Sequence, residues 1–215
     1  MTLMSALRGW PSFPADLPEF DPGTAPERPH EIFLAWLEDA GEHVLAPHAV
    51  TLSTVDADDV PDARVVILKD VDAAGWYVAT SSESPKGVQL GKHPMAALTF
   101  FWAARGRQVR IRGTVTPSPS EVSRNDFLAR SPESRVEAFI GNQSAVLRDP
   151  AELEAAAAEA REWVAENPYR APETWVRYLV APVSVEFWQA RHDRRHVRLR
   201  YRLDGGRWVR ELLWP

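Results

Sequence analysis

The chain has 215 residues, 45% hydrophobic and 26% charged, with a formal net charge of −5 and no cysteine. That balance fits one large soluble domain or one domain with an added subdomain, and it is too apolar for a disordered chain. Disulfides, thiolate metal sites and thiol catalysis are excluded, and a pI near 5.7 gives no general attraction to nucleic acid.

No apolar run reaches the ~18–20 residues of a membrane span, and the first residues lack the basic-then-apolar pattern of a secretory signal. A cytoplasmic globular protein is the expectation. Charge is unevenly spread: residues 1–60 hold eleven Asp/Glu against two Lys/Arg, while residues 191–215 hold eight Arg against three Asp/Glu. The basic end suits a local pocket for a small anion. Nine Trp require either large apolar contacts or flat ligands to stack on.

Residues 10–30 carry Pro11, Pro14, Pro18, Pro22, Pro26 and Pro29, which bars a helix and predicts an extended arm. A disordered tail is the alternative, but Trp10, Phe13 and Phe20 are costly to expose and argue that the arm folds over something. The chain thus divides into a proline-rich arm (1–28) and a single domain (29–215). Residues 29–40 place Phe33, Trp36, Leu37 and Ala40 on one face of a short amphipathic helix. The period then changes to two, and strands are predicted over 49–55, 63–69, 75–80, 96–102 and 108–115, separated by turn chemistry rich in Asp and Gly. In the last of these, Val109, Ile111 and Val115 face a core while Gln108, Arg110 and Arg112 face away.

Three helix starts follow: a capping box at Ser118-Pro119-Ser120-Glu121, Ser131-Pro132, and Asp149-Pro150, which opens an alanine-rich surface helix ending near Asn167. Strands at 183–189, 197–203 and 208–214 close the chain, the last two as a hairpin around Asp204-Gly205-Gly206. Eight or so antiparallel strands with few helices predict a barrel-like sheet in an α+β chain.

Several familiar chemistries are absent: there is no Walker-type phosphate loop, no GxGxxG after a strand, no HExxH and no GxSxG. Of six His, only His192 and His196 are close in sequence, with no acidic cluster beside them, so no metal site is expected. What remains is suited to an anion. Arg64 and Lys69 bracket one strand, and a hydroxyl-rich loop from Thr80 to Ser84 leads into a helix with Lys86 at its opening. Arg198, Arg200 and Arg202 alternate along one strand face, where Arg200 and Arg202 read as solvated.

These residues carry a family resemblance. Glu186-Phe187-Trp188-Gln189, followed by Arg194-Arg195-His196-Val197-Arg198, resembles the C-terminal E-F-W-Q and R-L-H-D-R signature of the pyridoxamine 5′-phosphate oxidases, FMN enzymes that make pyridoxal phosphate. The likeness runs in order through Arg64–Lys69, Thr80–Lys86, Arg107-Gln108-Val109, Phe127–Arg130 with Ser134, and Gln143-Ser144, covering residues 30–215. It implies an antiparallel, FMN-binding split β-barrel with peripheral helices, and a homodimer with the flavin between subunits.

By that resemblance, Arg64, Val65, Lys69, Thr80, Lys86, Gln108, Gln143, Ser144, Trp188 and Arg198 are expected at FMN. Lys69, Asp126, Arg130, Ser134, Arg194 and His196 are expected at the substrate. Arg194 and His196 carry the catalytic role, pressing a flat substrate toward the flavin N5 from one side of an extended segment. The implied activity is oxidation of pyridoxamine and pyridoxine 5′-phosphates to pyridoxal 5′-phosphate with O2 as acceptor. Alternatives are a same-fold oxidase of another flat molecule, as in the phenazine pathway, and a flavin-binding protein without turnover. The pattern is broken at Arg195 and Val197 (Leu and Asp in the signature), at Pro85 (Arg), at Asp126 (Tyr) and at Ala46 (Asp). Flavin contacts are therefore mostly kept, while substrate contacts are partly altered.

Overall fold

The period-two stretches become eight antiparallel strands: β1 (Ala49–Val55), β2 (Pro61–Asp72), β3 (Gly75–Ser81), β4 (Met95–Trp102), β5 (Arg107–Pro117), β6 (Trp175–Gln189), β7 (Val197–Asp204) and β8 (Arg207–Leu212). The structure is a computed structural model that describes residues 3–215. Strand order is β3-β2-β1-β4-β5-β6, and a β3–β6 pairing closes these six into a barrel. The β7–β8 hairpin continues the sheet from the other half of β6. Its two-residue turn, Gly205-Gly206, has positive φ at both positions, as a hairpin twisted to match its strands requires. The chain is an α+β split barrel, as expected.

Strand β6 begins eight residues before the Val183 expected from the sequence. Pro182, which has no backbone N–H, lies between Val180, the last residue paired with β3, and Ser184, the first paired with β7. The missing N–H therefore falls where the strand changes neighbours. On its other edge β6 follows β5 throughout, with one register shift at Arg112/Gly113.

Helix α1 (Leu3–Gly9), which was not expected, opens the arm ahead of its proline-rich stretch, and α2 (Pro29–His43) seals the core. Pro29 stands at the first turn of α2, where its missing N–H costs nothing. Phe33, fully buried, meets Trp76, Phe100 and Trp102 with ring centroids 4.9–5.9 Å apart. Trp36 packs edge-on against Phe187 and Phe20. The anticipated face is right, with Ile32 added and Leu37 at its margin.

An ionic clasp holds the other flank of α2: Asp39 accepts from Arg105 Nε (2.7 Å) and from Arg107 Nη1 (2.8 Å). Burial pulls the Arg107 guanidinium down to about 10, with Asp39 opposing, so it stays charged at neutral pH. It also lies 4.4 Å from the centre of the Trp36 ring.

The remaining helices are α3 (Pro85–Lys92), α4 (Ser120–Leu128), α5 (Pro132–Ile140) and α6 (Pro150–Glu166). Ser131 and Asp149 cap α5 and α6 as read from the sequence. The capping box at Ser118 does not form. Ser118 donates its backbone N–H to the Arg177 carbonyl of β6 (2.7 Å), and α4 starts at Ser120 without a side-chain cap. Among the described residues, no helix is long and apolar enough to cross a membrane.

After α1 the arm is extended apart from a short turn at Pro22–Thr24, and it lies on the sheet. Tyr201 donates its hydroxyl to the Pro26 carbonyl (2.6 Å), and Arg210 donates to the Ala25 carbonyl. Phe13 reaches the ring of Trp188, with centroids 5.8 Å apart.

At the β5–β6 bend, a Cβ on Gly113 would run into the Ala181 carbonyl oxygen. Gly113→Ala is therefore expected to destabilise the protein by about 1–3 kcal/mol, the scale of an overpacked core. Urea unfolding checks it: the midpoint falls and the slope stays constant if only the native bend is strained.

Candidate active site

Three segments converge on a groove of about 1290 Å3: β2, the loop from β3 into α3, and α5 with the residues after it. Nine of the residues singled out in the sequence line it, namely Arg64, Val65, Lys69, Thr80, Lys86, Arg130, Ser134, Gln143 and Ser144.

Strand β2 supplies the floor. Val65 and Ile67 present exposed apolar side chains, while Arg64 turns inward toward β1. The Arg64 guanidinium donates to the Leu52 carbonyl (3.2 Å), to Thr54 Oγ1 and to Gln89 Oε1 (3.1 Å), and it is ion-paired with Asp62. Gln89 in turn donates to Asp62 (3.1 Å), and this bond together with Arg64 holds the Asp62 carboxyl below its ordinary value despite its exposure. The cation is thus oriented before any ligand arrives. Lys69 is the unpaired residue of a bulge, since Leu68 pairs with Val78 and Asp70 with Tyr77. That extra residue re-aims the lysine into the groove.

The β3–α3 loop is tightly bonded within itself. Ser84 caps α3 by accepting from the Gly87 N–H (3.2 Å) and donates to the Ser81 carbonyl (2.7 Å). Thr80 Oγ1 lies 3.3 Å from Ser84 Oγ, and both residues are buried. The loop hydroxyls of Thr80 and Ser84 are therefore spent on shaping the loop. Pro85 takes the first helical position, and Lys86 follows it, half-buried. Burial and then the neighbouring Arg64 charge push the Lys86 ammonium below its ordinary value, with Glu137 opposing. Two like charges held close in a partly dry groove suit an incoming anion.

The far end is built from α4, α5 and the start of β6. The Arg130 guanidinium lies 4.2 Å from the centre of the Trp175 ring, and burial lowers its pKa. Asp126, in the last turn of α4, accepts from the Trp175 indole N–H (3.0 Å) and sits 3.7 Å from Lys69 Nζ. Ser134 accepts from the Ser131 hydroxyl (3.1 Å) in the first turn of α5. Trp175, Gln89 and Glu137 were invisible to sequence reasoning. Trp175 lay outside the expected strand, and the other two acquire meaning only through the cations they touch.

Of the other six expected residues, Asp126 borders the groove through Lys69 and Trp175, and five lie away from it. Trp188 on β6 stands opposite Gln108 on β5 and opposite Arg198 on β7. His196 lies against Trp188, with ring centroids 4.8 Å apart. Arg198 is bound to Glu186 Oε1 (2.9 Å) and to the Trp214 carbonyl (2.8 Å).

The segment holding Arg194 and His196 is not extended as expected. It is a turn in which Asp193 bridges Arg191 and Arg195, Arg194 takes a positive φ, and its N–H returns to the Arg191 carbonyl (3.1 Å). The pairing of alternate residues on one side of a strand does not apply there. One chain therefore carries two separate sets of candidate residues.

Residues 37–164 match the pyridoxamine 5′-phosphate oxidase family, and residues 175–215 match the pyridoxine 5′-phosphate oxidase C-terminal dimerisation region. The chain belongs to this family. A pyridoxine/pyridoxamine 5′-phosphate oxidase of Pseudomonas paraeruginosa is 42% identical over 194 residues, covering 89% of this chain and 90% of that protein. One from Thermosynechococcus vestitus is 45% identical over 192 residues, with 89% and 90% covered. Among solved structures, PhzG from Burkholderia lata 383 in complex with tetrahydrophenazine-1-carboxylic acid has a TM-score of 0.84 and 29% identity, covering 93% of this chain and 99% of its own. An FMN-binding protein from Nostoc punctiforme, at a TM-score of 0.71 and 17% identity over 87% of this chain and 97% of its own, shares the fold. The relatives are named as oxidases, and this chain is an oxidoreductase of their family.

The start of α3 is packed directly on the loop, because a Cβ on Gly87 would strike the backbone of Ser81 and Ser82. Gly87→Ala is expected to cost about 1–3 kcal/mol and to loosen the loop. Faster amide exchange at Ser84 and Gly87 than in the rest of the barrel would report that loosening.

Proposed function

We propose that the protein is an FMN-dependent oxidase that converts pyridoxamine and pyridoxine 5′-phosphates to pyridoxal 5′-phosphate, with O2 as acceptor and hydrogen peroxide as product, the amine substrate also consuming water and releasing ammonia. The observation that carries the reading is the groove, with a pre-oriented Arg64 beside a half-buried Lys86 at one end and Lys69 with Arg130 at the other. Its volume of about 1290 Å3 leaves room for a flavin and a flat substrate together.

The donor set fits FMN. Arg64 and Lys86 oppose the phosphate dianion, Val65 and Ile67 offer apolar surface to the ring system, and Gln143 and Ser144 supply polar partners for its edge. The chemistry supplied by bound FMN is hydride acceptance from the substrate and delivery of electrons to O2. Lys69, Arg130 and Ser134 bind and orient the substrate.

Gln108, Trp188, Arg194, His196 and Arg198 complete the site from a second subunit in this reading. They lie outside the groove of their own chain, and four of them fall within the matched dimerisation region. Arg194 and His196 would then close over the substrate and hold its reacting carbon toward the flavin, excluding water. Val65, Ile67, Phe101, Leu212 and Trp214 are exposed on the single chain, and an intersubunit contact would cover such surface.

A second reading keeps the chemistry and changes the substrate to another flat molecule. It is favoured by Asp126 beside Lys69 and by the 29% identity to PhzG.

Purified protein should show the two-banded flavin spectrum, and anaerobic pyridoxamine 5′-phosphate should bleach it. A flavin that stays oxidised under that substrate points to the second reading, and absence of flavin refutes both. Arg64→Ala should weaken FMN binding by about 1.5–3 kcal/mol, the scale of a lost charge-assisted hydrogen bond. Lys86→Ala should do at least as much, because Pro85 offers no neighbouring cation. Fluorescence titration of the apoprotein measures both, and wild-type affinity in both variants would move the phosphate elsewhere.

Sedimentation should give a dimer at micromolar concentration. A flavin-loaded monomer there would contradict the shared site.

A further inference from the structure

The two ends of the groove carry different charge, although both contain two cations. At the first end, Arg64 is ion-paired with the exposed Asp62, and Lys86 has no ion-pair partner among the described residues. At the second end each cation is matched: Lys69 Nζ lies 3.7 Å from Asp126 Oδ1, and Arg130 Nη2 lies 3.6 Å from Glu137 Oε2. Glu137 is 77% exposed and free to swing into solvent, whereas Asp126 is only 12% exposed. The Trp175 indole N–H also fixes the second oxygen of Asp126 at 3.0 Å. A ligand anion seated between Lys69 and Arg130 must therefore sit beside a fixed carboxylate.

We propose that Asp126 is a charge-levelling residue of this end of the groove, which removes the usual advantage of a dianionic phosphate so that a ring ligand with a monoanionic group such as a carboxylate is accepted about as well. The inference rests on the flavin-and-substrate reading of the groove and adds the charge of the group accepted there. The cost of drying an ion grows with the square of its charge, while the attraction available grows only with its first power. With Asp126 cancelling one of two cations, a single negative charge can still take a charge-assisted hydrogen bond from Arg130 or Lys69. A dianion is dried at far greater cost for little more attraction. Surroundings with one net positive charge thus discriminate by charge without any steric barrier.

The test uses flavin-loaded protein and two probes on one ring: pyridoxal 5′-phosphate, and 5-pyridoxic acid, which carries a carboxylate in place of the phosphate ester arm. Calorimetry should show the wild type binding the two within a few-fold of each other. Asp126→Asn keeps an oxygen for the indole N–H and removes the charge. It should tighten pyridoxal 5′-phosphate by about tenfold and change 5-pyridoxic acid by less than about threefold. Asp126→Glu, which restores the charge, should keep the wild-type ratio.

The proposal is overturned by a wild type that prefers the phosphate by about a hundredfold, a result that needs no variant to fold. It is equally overturned if Asp126→Asn leaves the ratio where it was. In either case normal flavin content and oxidation of pyridoxamine 5′-phosphate would leave the proposed function standing. Flavin-loaded protein that binds neither probe would remove both.

Discussion

The barrel depends on one long strand holding three neighbours at once. Strand β6 pairs with β5 along its length, gives its first half to β3 to close the barrel, and gives its second half to β7. Such a strand must bend where it changes partner, and the bend brings β5 and β6 backbones too close for any side chain on Gly113. Both sets of candidate residues hang on this strand. Trp175 begins it at the groove, and Trp188 lies near its end on the opposite set. The single covalent strand thus spans the distance between two sets of residues that one chain does not bring together.

Around that frame, charge serves two purposes. The clasp of Asp39 with Arg105 and Arg107 holds α2 over the aromatic core, and removing one partner would strand a buried charge. In the groove, Arg64 is held by a carbonyl, a hydroxyl, an amide and a carboxylate, so little entropy is lost when it meets an anion. Burial, and then the same Arg64, push the Lys86 ammonium below its ordinary value. Under the proposed function an anion would relieve that repulsion, and the half-buried pair of cations would serve binding more than fold stability.

The second set has the character of an incomplete surface. Trp188 is in ring contact with His196 and with Phe13 of the arm, and Gln108 and Arg198 stand opposite it across the ladders. The arm touches this set, and His192 in the turn after β6 bonds the Ala15 carbonyl (2.9 Å). Family membership and a matched dimerisation region give this arrangement a use under the proposed function, where a second copy supplies what each chain lacks.

Much of this was legible in the sequence, because local chemistry is enough to write it. Alternation of Val, Ile and aromatic residues set the strands, Ser131 and Asp149 announced their helices, and the double glycine announced the hairpin turn. The ordered motifs from Arg64 to Arg198 identified the family, and nine of the residues they named meet in one groove. What tertiary structure alone decided lies where distant segments touch. Strand β6 starts well before Val183 and tolerates Pro182 because the change of strand partner removes the need for its N–H. Ser118 makes no cap and instead donates its backbone N–H to the Arg177 carbonyl of β6. Lys69 turns into the groove through a bulge that no periodicity marks, and Asp126 gains its place beside Lys69 from a tryptophan 49 residues further along the chain. Sequence spacing encodes which face of an element a residue occupies; which charges end up within reach of one another is set only when the barrel closes.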